Sequence, residues 1–147
     1  MTALTKDDIL QLIPHGPAMC LLDAVDGWDQ NVINCHTGSS WKDDNPLMEG
    51  GELGVASLIE YGAQAAAIHS GLIMSASQEQ DVNLEKPAYV AVVKEVEMSR
   101  SIVPDSVDVI ACEAHLEMAT EQGALYRVQL TGDGECLLTG QLVLARR

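Results

Sequence analysis

The chain has 147 residues, with 8 Lys and Arg against 22 Asp and Glu and a formal net charge of -14. Hydrophobic residues make up 47% and mean hydropathy is +0.07, enough apolar surface to offset chain ordering, so wholesale disorder is excluded and one domain over 1-147 is expected. Acids outnumber bases 10 to 2 over residues 1–60 and 12 to 6 beyond, and Phe is absent, so both the clustered cations and the stacking rings that nucleic acid needs are missing.

Thr5 to Ile13 predicts a short helix, with Thr5 as N-cap, Asp7 and Asp8 in the first turn, and Pro14 as the stop. Ala18 to Val25 and Val32 to Trp41 read as two strands, with DGWDQN between them as turn material. After the Pro46 and Gly50-Gly51 breakers, Val55 to Ile73 is the one long run of helical character. Beyond Pro87 the period changes to two. Val90, Val92, Val96 and Met98 are expected on one face of a strand, and Ile110, Cys112, Ala114, Leu116 and Met118 on one face of the next. The last pair, Tyr126 to Leu130 and Leu138 to Leu144, is joined by an Asp133-Gly134 turn, the strongest short-range signal of a hairpin. The order predicts an α+β domain in which one long helix packs on one antiparallel sheet.

Cys20, Cys35, Cys112 and Cys136 lie far apart without a CxxC pair, and the opening residues carry early acids rather than a cationic and then apolar leader. Both features predict a reducing cytoplasm. The most apolar stretch, Leu53 to Met74, holds Glu60, Gln64 and His69, which argues against membrane insertion and for a buried helix. The four His and four Cys show no metal-ligand spacing, and no GxSxG, GxGxxG or phosphate-loop motif occurs.

Within the long helix, Glu60 and Gln64 are four residues apart and share a face. A carboxyl group buried there is pushed toward its protonated form and suits a general acid. The same pattern also fits a face turned to solvent or to a dimer seam, where both side chains only supply hydrogen bonds. Ahead of the helix, Gly50, Gly51 and Gly54 free the backbone to expose N–H groups at the positive helix end, suited to an oxygen that gains charge.

Two stretches carry a family resemblance. LIPHGPAMCLLDAV, Leu12 to Val25, resembles the "PH..P..L.D.V" signature of the hotdog-fold 3-hydroxyacyl-thioester dehydratases of fatty acid synthesis, and LIEYGAQAAA, Leu58 to Ala67, resembles their helix motif "EA.AQ". The likeness is nearest to the branch of aryl polyene lipid pathways, where the helix reads IleGluTyr and a Gly-Leu pair such as Gly71-Leu72 closes it. It implies a curved antiparallel sheet of five to six strands wrapped around the central helix. It also implies a homodimer or dimer-based oligomer, and no cofactor.

Carried over residue by residue, the resemblance puts the catalytic carboxylate on Glu60 and the motif glutamine on Gln64. The histidine common to these enzymes lies 14 residues before the carboxylate, where this chain has Pro46, so His15 in the N-terminal signature is the candidate replacement. The implied reaction removes water from a 3-hydroxyacyl thioester, on acyl carrier protein or coenzyme A, to give the 2-enoyl thioester. His15 and Glu60 would be catalytic, with Gln64, Gly51, Gly54 and Val55 binding substrate. A hotdog thioesterase and a non-catalytic acyl-binding partner subunit are the alternatives.

Overall fold

The computed structural model describes residues 3–12, 20–43, 45–76 and 89–145. Its first helix, α1 (Lys6–Leu12), opens on a reciprocal cap. The Asp8 carboxylate accepts the Thr5 N–H at 3.0 Å, and Thr5 Oγ1 accepts the Asp8 N–H at 3.4 Å. The expected helix end at Ile13 and strand start at Ala18 lie outside the described residues.

Six strands follow among the described residues: β1 (Ala24–Trp28), β2 (Val32–Thr37), β3 (Tyr89–Met98), β4 (Ile110–Thr120), β5 (Gly123–Gly132) and β6 (Glu135–Ala145). They form one antiparallel sheet in the order β1-β2-β4-β5-β6-β3. The β5–β6 hairpin turns at Asp133 (φ 48°) and Gly134 (φ 91°), the two left-handed residues that a tight two-residue turn requires.

The long helix α2 (Leu58–Ala76) lies on this sheet, led in by a 3₁₀ turn at Val55–Ser57. Leu58, Tyr61, Gly62, Ala65, Ile68 and His69 are buried at spacings of three and four, the stripe that faces a sheet. Gly62 sets the closeness of approach, because a Cβ there would stand 3.1 Å from Val128. Inward residues of the central strands complete the core, among them Ile33, Cys112, Ala114, Tyr126, Val128, Leu138 and Leu142.

Several boundaries differ from expectation. β2 stops at Thr37 rather than Trp41, because the Asp23 carboxylate accepts Gly38 N–H and Ser40 Oγ–H and draws the chain off the sheet into a 3₁₀ turn at Ser39–Lys42. Trp41 is buried there, with Nε1–H donating to Val107 O at 3.2 Å. Gly71 does not close α2, since Leu72 still packs on the core and the helix runs on to Ala76. In β3 the expected single face is broken by two bulges, one between Val90 and Val92 and one between Lys94 and Glu97, where Glu95 takes φ 54°. Val90 therefore pairs with Leu144 but Val92 with Val143, which puts the two on opposite faces.

Candidate active site

Glu60 sits in the first turn of α2, where the partial positive charge of the helix end favours an anion. Its side chain is half-buried rather than enclosed, and among the described residues it has no hydrogen-bond or ionic partner. One residue before Glu60, Ile59 packs with Val96 over Gly140, within 3.5 Å of where that residue's Cβ would be.

Gln64, one turn further, is not turned toward the same surroundings. It is only 3% exposed, and its Oε1 accepts the Leu21 N–H at 2.9 Å. Thr37 Oγ1 donates to Leu21 O at 2.6 Å, so both main-chain polar groups of Leu21 are tied down.

Glu49 and Glu52 exchange both backbone hydrogen bonds around Gly50 (φ 60°) and Gly51 (φ 78°), a tight hairpin that leaves Gly51 exposed. Val55 N–H is already committed to Ser101 O at 2.9 Å, and Gly54 bridges to Ile102. Among Gly51, Gly54 and Val55, the Val55 amide is thus spent within the fold. His15 lies outside the described residues.

The other histidines have assigned work. His69 is fully buried, with Nε2 on Asp29 O at 2.6 Å and Nδ1 on Tyr126 Oη at 2.7 Å. A carbonyl can only accept, so Nε2 carries the proton and, in the neutral ring, Nδ1 accepts from the tyrosine. Burial holds the imidazole below its usual range against the raising influence of Asp29. His36 pairs with Asp26, and His115 with Glu113, on partly exposed strand positions.

Beside the start of α2 is a cleft of about 400 Å³, within the usual size range of small-molecule sites, between the Cys20–Leu21 segment and the Asn45–Pro46 turn, with Tyr61 and Trp41 in its wall. Tyr61 Oη accepts from Asn45 Nδ2 at 2.8 Å, and burial raises the phenol so that it stays protonated. The sequence reading did not single out Tyr61 or Asn45. The available signal was the three-residue spacing of Tyr61 and Gln64, which puts two polar groups on one buried helix face. Among the described residues no group of His, Cys, Asp and Glu is placed to hold a metal ion, and no helix is long and apolar enough to cross a membrane.

No protein of curated function matches the chain. Among solved structures, the dehydratase heterocomplex ApeI:P from Xenorhabdus doucetiae is similar, at 21% identity and a TM-score of 0.81 over 95% of this chain and 90% of that one. A mutant thioesterase from Pseudomonas aeruginosa follows at 16% identity and a TM-score of 0.59, over 85% of this chain and 80% of that one. A hypothetical thioesterase with coenzyme A from Streptococcus pneumoniae TIGR4 aligns at 10% and 0.57, over 84% of each chain. At these identities the likeness establishes the shared hotdog fold. The sequence profile of the ApeP-like family, described as ApeP dehydratase, matches residues 7–146, nearly the whole chain including the Glu60 helix. The chain belongs to the ApeP-like dehydratase family.

Proposed function

We propose that the protein removes water from a 3-hydroxyacyl thioester, carried by acyl carrier protein or coenzyme A, to leave the 2-enoyl thioester. His15 takes a proton from C2, the C2–C3 double bond forms, and Glu60 gives its proton to the departing C3 hydroxyl, which leaves as water. The substrate oxygen that gains charge is held by backbone near Gly51 and Gly54 at the start of α2. The supporting observation is the Glu60 carboxyl itself, half-buried in the first helical turn and without a hydrogen-bond or ionic partner among the described residues. A structural carboxylate in that position would ordinarily be paired or fully solvated.

Among the described residues Glu60 is only half-buried, and a second subunit packed over it would supply the further desolvation that favours an acid. Strand β3, at the edge of the described sheet, supports such an assembly, with Val90, Val92, Val93, Val96 and Met98 between 37% and 50% exposed. An edge of that length left bare invites pairing with another chain. A homodimer satisfies it. The similar Xenorhabdus protein is part of a heterocomplex, which favours a mixed pair as the second reading.

The test is to follow enoyl absorbance and thiol release together when purified protein meets a 3-hydroxyacyl thioester and the matching plain acyl thioester. Enoyl formation from the hydroxy compound alone supports the proposal. Thiol release without enoyl signal assigns a thioesterase instead, and neither signal assigns an acyl-binding partner subunit.

A further inference from the structure

Two polar side chains three residues apart on α2 hold the opposite walls of the cleft beside that helix. Tyr61 takes a hydrogen bond from Asn45 on one wall, and Gln64 takes one from the Leu21 main chain on the other. The Asn45 amide is oriented without ambiguity, because its Nδ2 also donates to Trp41 O at 3.0 Å and its Oδ1 accepts Leu47 N–H at 2.9 Å.

Most of the remaining polar side chains described in the wall are engaged inside the protein, although the Lys6 ammonium stays partly exposed. Thr37 donates to Leu21 O, while Ser40 and Lys6 both bond Asp23. What the cleft offers a visitor is therefore the apolar surface of Cys20, Leu21, Trp41, Pro46 and the Tyr61 ring. Asp43 is exposed and Lys6 partly exposed in its lining, so the cleft carries charge of both signs beside the apolar surface.

We infer that this cleft receives the apolar part of the acyl group, and that Tyr61 and Gln64, which pin its two walls to the helix bearing Glu60, are positioning residues that set which acyl groups fit. The ligand class rests on the dehydratase reading above; the pinning does not.

Trp41 reports on occupancy. In a Trp28→Phe protein it is the sole tryptophan, and its emission is followed as 3-hydroxydecanoyl-coenzyme A, 3-hydroxybutyryl-coenzyme A or free coenzyme A is added. Saturable change with the long thioester and none with free coenzyme A is the expected result. In steady-state dehydration, Tyr61→Phe and Gln64→Leu should each raise KM for the long substrate roughly 2- to 12-fold, the equivalent of one neutral hydrogen bond. The rise should be larger for the long substrate than for the short one, with kcat for the long substrate falling less than its KM rises.

Equal responses to the thioesters and to free coenzyme A would overturn the inference. So would enoyl formation with a silent Trp41, or variants that lower kcat in proportion for both substrates. A saturable Trp41 response without any enoyl product would reject the dehydratase reading and leave the cleft assignment standing.

Discussion

His69 lies fully buried under the sheet with both ring nitrogens engaged, Nε2–H on Asp29 O and Nδ1 on the Tyr126 hydroxyl. Burial lowers its pKa from the usual 6.5 or so. The unfolded chain therefore takes up a proton near pH 6.5 that the folded chain refuses. Stability from this group is fully present above that pH and is lost as the pH falls toward the folded value. One proton of difference costs at most about 1.4 kcal/mol per pH unit, or about 3–6 °C of Tm for a chain of this size. The paired carboxylates Asp23, Asp29, Asp133 and Glu135 are all held below their usual values. Their contributions are fully present above about pH 5 and are lost progressively below it, so the interval from about 6.5 to 5 isolates histidine. Thermal melts of the native protein and of His69→Gln across pH 7.5 to 4.5 provide the assay. The Gln amide can donate to Asp29 O and accept from Tyr126 but cannot be protonated, so the variant should start lower and follow a flatter curve. The other three histidines are the same in both proteins and cancel in the comparison. Parallel curves would refute the reasoning.

Three further outcomes follow from the packing. Val93, 43% exposed on β3, tolerates a charge in a lone chain but not in an edge-to-edge pair, so Val93→Glu should give the mass of one chain by light scattering where the native protein gives two or more. An unchanged oligomer would remove β3 from the interface. Native protein should show one fast thiol toward an aromatic disulfide reagent, Cys136, since Cys20 is raised by burial, Cys35 is pushed up to about 12 and Cys112 lies well above the usual thiol value. A second fast thiol would show that the Cys20 cleft opens or that the sheet breathes around Cys35 and Cys112. Gly62→Val should lower stability by about 1–3 kcal/mol in denaturant melts, because its Cβ alone meets Val128 at 3.1 Å; no change would mean that helix and sheet have slack.

The parts of the fold legible in the sequence were those written in local chemistry. The α1 cap, the Asp133-Gly134 hairpin and the period-two strands β4, β5 and β6 each follow from residues next to one another in the chain. What escaped depended on distant partners. Nothing near Val32 to Trp41 announces that the Asp23 carboxylate will pull Gly38 and Ser40 off the sheet. The bulges in β3 are defined against β6, fifty residues on, and they reverse a face that alternation alone would keep intact. At the candidate site, the helix motif located Glu60 and Gln64 but not their different surroundings. Gln64 is enclosed by the Leu21 segment, 43 residues earlier, while Glu60 is only half-buried among the described residues.

Dehydration depends on the Glu60 proton, and the most direct measurement is the rate of enoyl formation by the native protein and by Glu60→Gln with one 3-hydroxyacyl thioester. The amide keeps the shape and removes the transferable proton, so the rate should fall by about 10²- to 10⁴-fold while the melting profile and the binding constant for the thioester are retained. A variant that dehydrates at the native rate would contradict the assignment of Glu60 as the acid.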